Sequence, residues 1–538
     1  MDFDIVVAGA GHNSLIASCY LAKAGYRCLV LDARHIPGGG AATEEILDPG
    51  FFVDSCSTGH TLIRVNPLLL NDELGLKRDY GLSYLQPDPV AHVGFPDGEQ
   101  FTMFLDFERT VEEIGRFSRA DGDAYRRMSR EYDEVKSLFT AAQFTPVGFG
   151  PSLDQRLSEH PAGKVWARRR ALSAWDVIRH EFSDPHVQSF MLWQAFQTFV
   201  MFDSPGTGML AYSVFARQAR SWSIPVGGSG RLTDGLVGFL EAHGGSVLCD
   251  KRVTSLIIED GRCVGVRTDG GEEYRAGTAV LSTIHVKHLI DMAPASAWPE
   301  EFHYGIETYD VGIPGFAAYF ATNRPPVFET PSGGVSAVSA GLVGWPDDLI
   351  QLSADLRRGR LIEGVPWLLV ATPSLVDPSR APAGMHTVKL LSPQAYSLPP
   401  HQEWDVVKDR IAAHQLEQLR RFAPTFTEDA IVARLVKAPP DIERSNIHMV
   451  HGAFHGGDRG PAFSGPLRPA PGWASHRMPI PGLYQTGGTT HPGGSITGGP
   501  GRNAAIVMLH DLGHELVDVV AATSPAADTV NVAQPAGA

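Results

Sequence analysis

The chain has 538 residues, 43% hydrophobic and 20% charged, with a net charge of −15. That is a globular composition long enough for two or three domains, and an acidic balance without a long basic block disfavours nucleic-acid binding, which rests on neutralising phosphates. Five cysteines with no CxxC pair suggest neither a zinc site nor a dithiol redox centre, so no metal is expected, and no apolar run reaches membrane-spanning length. The N-terminus reads as a buried strand rather than a signal peptide. The expectation is a cytoplasmic protein, with peripheral membrane contact left open and the oligomeric state unspecified.

The first informative stretch is Ile5-Val6-Val7-Ala8-Gly9-Ala10-Gly11-His12-Asn13-Ser14, followed by a helical run and then Cys28-Leu29-Val30-Leu31-Asp32. A strand, a glycine turn, a helix and a second strand ending in an acid make a dinucleotide site. Glycines let the backbone approach a pyrophosphate, the helix N-terminus offers free N–H groups, and Asp32 stands where a carboxylate accepts the ribose hydroxyls. Ser14 takes the place of a third glycine and is small enough to keep helix and strand close. Next comes Ala33-Arg34, and shortly after it Gly38-Gly39-Gly40-Ala41-Ala42. This resembles the second diphosphate-contacting segment of the glutathione-reductase-type FAD fold, so Ala33, Arg34, Gly39, Gly40, Ala41 and Ala42 join the expected cofactor contacts. His60, in Ser57-Thr58-Gly59-His60-Thr61, follows closely enough to line the same cavity.

Tyr125, Met128, Tyr132, Val135 and Phe139 recur at helical spacing between about Phe107 and Gln143. A second helical region runs from about Trp175 to Arg220 and carries Phe190, Trp193, Phe196, Phe199 and Phe202. Singly these aromatics read as core; together they make an apolar pocket plausible. Arg168-Arg169-Arg170 reads as a solvated helix face. Pro225–Thr233 is glycine-rich but lacks the strand-and-acid pattern of a second nucleotide site. A helix over Leu232–His243 precedes Ser246–Leu248, Val253–Ile258, Cys263–Arg267 and Glu273–Arg275, short strands with Asp-Gly turns that suggest a meander. Ala279–Thr283 reads as a buried strand returning to the nucleotide domain. Strand-like runs over Trp367–Ala371 and His386–Leu391 and a helix over Trp404–Phe422 follow. His448, His451 and His455 have a tempting metal spacing but no supporting cysteine pair. The tail from Ala521 has a disordered composition.

The last motif is Gly482-Leu483-Tyr484-Gln485-Thr486-Gly487-Gly488-Thr489-Thr490-His491-Pro492-Gly493-Gly494-Ser495-Ile496-Thr497-Gly498-Gly499. A strand runs through a glycine loop into a helix whose N-terminus can hold negative charge at a flavin edge. With the N-terminal and Pro225–Leu232 segments, in this order, it resembles the phytoene desaturase, carotenoid isomerase and retinol saturase group of FAD-dependent oxidoreductases. Gly11-His12-Asn13, Pro373–Pro382, Phe454-His455-Gly456 and Thr490–Gly494 resemble its branch of pyridine nucleotide-disulfide oxidoreductase domain 2-like proteins. Ser495 departs from the pattern where a further glycine is usual, and Gly487-Gly488 stands where many relatives have Gly-Ala.

The resemblance implies an α/β glutathione-reductase-type, Rossmann-like FAD-binding domain built from 1–75, 220–290 and 480–515, with an inserted mixed α+β substrate domain from 76–219 and 291–479. It implies cofactor contacts at Gly487, Gly488, Gly494, Ser495 and Ile496, and a backbone contact from Val253 to the adenine end. The expected activity is oxidation or desaturation of a largely apolar small molecule by hydride transfer to flavin N5. His491 and His60 are the candidate proton-handling residues. With no second nucleotide fingerprint, the electron acceptor would be oxygen, a quinone or the substrate itself. Three alternatives stand beside this one. The first is a redox-neutral isomerase or lyase. The second is a non-enzymatic binding protein like the Rab GDP-dissociation inhibitors, which share the architecture without using flavin. The third is an amine oxidase, weakened because no clear aromatic pair flanks the ring in the C-terminal motif.

Overall fold

The computed structural model describes residues 3–522. The expected disordered tail therefore falls, beyond Ala522, outside the described residues. The nucleotide half is a five-stranded parallel sheet in the order Leu483–Gln485, Ala279–Ser282, Ile5–Ala8, Cys28–Leu31 and Ser246–Leu248. Every residue of the Ile5–Ala8 and Cys28–Leu31 strands is buried, which is why they read as continuous apolar runs. The helix His12–Lys23 is buried at every position from His12 to Ala22, between the sheet and the helix Gly499–Asp511. Closeness of those two helices depends on Gly501, where a Cβ would come within 2.3 Å of the Asn13 carbonyl oxygen.

The meander is a separate three-stranded antiparallel sheet of Val253–Glu259, Arg262–Thr268 and Glu273–Arg275. Ser246–Leu248, which the sequence groups with it, instead pairs in parallel with Cys28–Leu31. Local pattern cannot separate these cases, because a strand of three half-buried residues looks alike in either sheet.

A second, seven-stranded sheet runs in the order Ile431–Lys437, Gly315–Thr322, His386–Pro393, Trp367–Ala371, Ser339–Val343, Ala91–Gly94 and Gln100–Met103. Its parallel contact between Ser339–Val343 and Ala91–Gly94 joins segments far apart in the chain. The helical expectations hold with breaks. Phe107–Gln143 divides at Ser118, whose side chain accepts from Asp121 N and starts Arg119–Gln143. Trp175–Arg220 divides into Ala174–Glu181, Pro185–Phe196 and Ser213–Arg220. Asp184 caps Pro185–Phe196, and Phe199, at φ 47°, turns the chain after it. The five aromatics of that stretch are all buried in the core, and none lines the cavity described next. Among the described residues no helix is long and apolar enough to cross a membrane.

Candidate active site

One cavity of about 950 Å³ opens outside the carboxyl ends of the parallel strands and runs to the second sheet. That position is where ligands bind in open α/β folds. At one end, Asp32 accepts from Ala10 N at 2.7 Å and from Arg34 N at 2.8 Å. Burial nonetheless holds its carboxyl above the usual carboxylate value. Gly11 caps the helix His12–Lys23 in an extended conformation and provides no side-chain cap, so, beyond His12 N, which donates to Gly38 O at 3.3 Å, the helix N-terminus faces the cavity with free N–H groups. Gly9, at φ 97°, carries the turn; a Cβ there would come within 2.5 Å of Thr283 Cγ2. The second glycine segment lies over the first: Gly38 N donates to Ala10 O at 2.7 Å, and a Cβ on Gly39 would meet Gly11 Cα at 3.2 Å.

Lys251 N donates to Asp32 O at 2.7 Å, and this contact brings Val253 to the cavity wall. At the other side of the nucleotide end, Gly487, Gly488, Gly494, Ser495 and Ile496 form the wall. A Cβ on Gly487 would come within 2.4 Å of Thr283 Oγ1, and one on Gly494 within 2.1 Å of His455 O. Ser495 holds φ at 82°, which accounts for glycine being usual there.

These features fit an FAD: uncapped helix N–H groups for a diphosphate, a buried acid for ribose hydroxyls and a bare backbone loop for a flat ring. Asp32, Gly9, Gly11, His12, Asn13, Ala33, Arg34, Gly39, Gly40 and Val253 would hold its adenosine and diphosphate portions, and residues 487–496 its ring.

Several expected contacts sit behind the wall instead. Ser14 donates its hydroxyl to Gly9 O at 2.6 Å and Gly11 O at 2.9 Å, so it pins the glycine turn rather than facing the cavity. Ala41 and Ala42 are buried behind the second glycine segment, and Ala41 O accepts from Thr233 Oγ1 at 2.7 Å. Arg34 lines the cavity, but its Nη2 donates to both oxygens of Glu44, at 2.6 and 2.7 Å. Asn13 divides its side chain, Oδ1 accepting from Gly501 N at the start of the helix Gly499–Asp511.

Neither histidine expected to act on substrate reaches the cavity. His491 Nε2 lies 3.0 Å from Ala142 O at the end of the helix Arg119–Gln143, with its pKa lowered by burial. His60 is fully buried, its Nε2 on Ser229 Oγ and its Nδ1 3.4 Å from Tyr84 Oη, and burial pulls its pKa down to about 3. The neighbours Gly59 and Thr61 line the cavity in its place. The histidine spacing that suggested a metal also comes apart. His448 and His455 face the cavity, while His451, at φ 54°, stacks on Tyr396. Among the described residues no group of three His, Cys, Asp or Glu is placed to hold a metal ion.

Sequence reasoning missed His285, Arg217 and Arg459 as cavity residues. His285 had a signal, since it follows the carboxyl end of the strand Ala279–Ser282. Arg459 stands with Arg468 beside the face of Gly493 where a Cβ would project; nothing local marked it. Burial holds His12 and His448 at about 4 and His455 at about 3, so these cavity histidines are neutral at pH 7.

The remaining wall is largely apolar, with Phe139, Met209, Leu210, Leu369, Leu391 and Phe454.

Known proteins share the chain's sequence pattern and fold. The profile of the family described as flavin containing amine oxidoreductase matches residues 15–500. The mouse protein called pyridine nucleotide-disulfide oxidoreductase domain-containing protein 2 is 30% identical over 95% of this chain and 94% of its own length. A limonene dehydrogenase subunit from Castellaniella defragrans is 28% identical over 95% of each chain. A crystal structure of an oxidoreductase from Methanosarcina mazei shares the fold, with a TM-score of 0.58, 16% identity, and coverage of 94% of this chain and 99% of that one. The chain thus belongs to the flavin containing amine oxidoreductase family and is an FAD-dependent oxidoreductase.

Proposed function

We propose that the protein dehydrogenates or desaturates a small, largely apolar organic molecule, with oxygen or a quinone as final electron acceptor. FAD, when bound, supplies a two-electron acceptor for a substrate hydride, so the chain need only bind, orient and exclude water. The observation that carries the reading is a single cavity with two unlike walls: a glycine-rich, acid-bearing one and an aliphatic and aromatic one.

Each residue then has a defined task. Asp32 accepts the ribose hydroxyls, and the N-terminus of His12–Lys23 faces the diphosphate. Val253 meets the adenine end through its backbone. The helix Gly499–Asp511 starts beside the loop 487–498, its first-turn N–H groups taken by Thr497 Oγ1 and Asn13 Oδ1, so it favours negative charge there through its dipole alone. Arg459, beside Gly493, adds a positive charge on that side. Phe139, Leu210 and Leu391 exclude water from the substrate. The FAD-binding part comprises 1–75, 220–290 and 480–515, and the substrate part 76–219 and 291–479. The limonene dehydrogenase relative supports an apolar substrate by its name.

The test is anaerobic mixing of the FAD-loaded protein with limonene and with longer polyenes in detergent. Bleaching of the flavin band, with a slowed rate when the reacting carbon is deuterated, is expected. Product formed without bleaching and without acceptor consumption would overturn dehydrogenation in favour of isomerisation.

A further inference from the structure

The apolar end of the cavity contains one charge with nothing to balance it. Arg217, on the helix Ser213–Arg220, is 8% exposed and lines the cavity. Its Nη1 donates to Gln194 O at 3.0 Å, to Gln194 Oε1 at 3.1 Å and to Ser213 Oγ at 3.2 Å. Those acceptors fix one corner of the guanidinium. Its Nε and Nη2 have no hydrogen-bond or ion-pair partner among the described residues. Burial alone lowers its pKa, to about 10, with no neighbouring carboxylate opposing the shift, so the group stays charged at pH 7.

Two other arginines, both fully excluded from solvent, are matched. Arg380 meets Asp54, and Arg468 donates to the carbonyl oxygens of Gly456, Asp458, Phe463 and Gly488. An unmatched buried charge is costly, and a fold that keeps one over a cavity is set up for a ligand that completes the pair. Two further polar groups stand one turn on from Gln194. Gln197 and Thr198 both line the cavity, and Gln197 Nε2 and Thr198 Oγ1 are buried without a partner.

We propose that this end of the cavity binds a carboxylate, so that the substrate is an apolar organic acid whose head is held by Arg217 with Gln197 and Thr198. The inference rests on the proposed dehydrogenation and names its substrate class. The free Nε–Nη2 edge is a planar two-donor fork, matched to a carboxylate's two oxygens. One guanidinium also balances one negative charge. An amine substrate would place like charge against Arg217, and a pure hydrocarbon would leave its donors unmatched. Anchoring the head here lays the apolar body along Leu210, Phe139 and Leu391, within the same cavity as the flavin loop.

The probe pair is octanoate and 1-octanol, equal in chain length and different in charge. Binding to the FAD-loaded protein is measured by calorimetry and by the flavin difference spectrum. Octanoate should bind about tenfold tighter or more. In Arg217→Gln the two should bind within about twofold of each other while FAD content stays unchanged, and Arg217→Lys should keep part of the preference. Octanoate that fails to bind, binds no tighter than octanol, or keeps its preference in Arg217→Gln overturns the proposal. The wild-type comparison decides alone if the variants do not fold. Calorimetry needs no turnover, so the two readings fail separately. An octanoate preference in a protein never reduced by any substrate would overturn the dehydrogenase reading and leave the carboxylate site standing.

Discussion

Arg380 Nη2 lies 2.9 Å from Asp54 Oδ2, and both side chains are fully excluded from solvent. The contact is one of charge rather than an aligned hydrogen bond. Asp54 Oδ1 meanwhile accepts from Thr43 Oγ1 at 2.8 Å and Ser229 N at 2.9 Å. Lys389 Nζ donates to Cys56 O at 2.6 Å and Thr58 Oγ1 at 3.0 Å on the same segment. This buried hub ties strands of the second sheet to the segment that carries Gly59 and Thr61 into the cavity wall.

Arg380→Ala should therefore cost about 3–5 kcal/mol, because it strands a buried carboxylate. FAD content should fall with stability, since the segment also shapes the cavity. Denaturant titration with flavin quantification checks this, and a loss under about 1 kcal/mol would show that the pair is expendable. Burial would push the Asp54 carboxyl up, but Arg380 and Lys389 outweigh it and hold it below the usual range. The folded value is depressed, so this contribution is full above the unfolded value of about 3.9 and is lost as pH falls through the folded one.

Acid should weaken the fold well before that point. Burial depresses His12 and His448 to about 4, and His60 and His455 to about 3. The unfolded chain takes up these protons first, near pH 6.5, so stability is full above that value and falls as pH drops toward 4. Each such histidine contributes about 1.4 kcal/mol per pH unit inside its window. Melting temperature measured from pH 8 to pH 5 should be flat and then fall, and His455→Asn should soften the slope. A flat profile down to pH 5 would contradict the burial of these side chains.

Asp32→Asn should weaken FAD binding about tenfold or more, through loss of a charged acceptor. Flavin fluorescence quenching on titrating FAD into the apoprotein reads the change directly. An unchanged affinity would move the ribose contact elsewhere.

Backbone conformation separates two neighbouring loop positions. Gly487→Ala adds a Cβ at φ 92° and 2.4 Å from Thr283 Oγ1, so flavin should be lost or greatly weakened. Ser495→Gly, at φ 82°, relieves a left-handed conformation that costs an L-residue roughly 1–2 kcal/mol, so it should hold or raise the melting temperature. The opposite order of effects would count against the loop geometry.

His491→Asn should change the rate of flavin reduction by substrate less than about threefold, far below the 10²–10⁴ expected for a proton-transferring residue. Stopped-flow reduction measures it. A loss of a hundredfold or more would return His491 to the chemistry.

Much of the nucleotide half was legible because its signals are local. A glycine turn, an acid at a strand end and a buried helix are written within the first 32 residues, and the flavin loop within residues 482–499. The substrate side was not legible to the same degree. The aromatic run Phe190–Phe202 announced a pocket, yet its rings fill the core, while the neighbouring Gln197 and Thr198 reach the wall. Periodicity reports that a face is buried; it does not report against what.

The histidines make the same division. The sequence by itself determined the glycine turn, the acid at the strand end and the glycine loop, since backbone approach and helix ends depend on residues adjacent in the chain. Only the tertiary structure decided which side chains line the cavity. It turned His491 onto Ala142 O and His60 onto Ser229, and brought Arg217 and Phe454 to the cavity from remote parts of the chain. A glycine turn acts through its own few bonds, whereas a cavity wall exists only where packed elements fail to close.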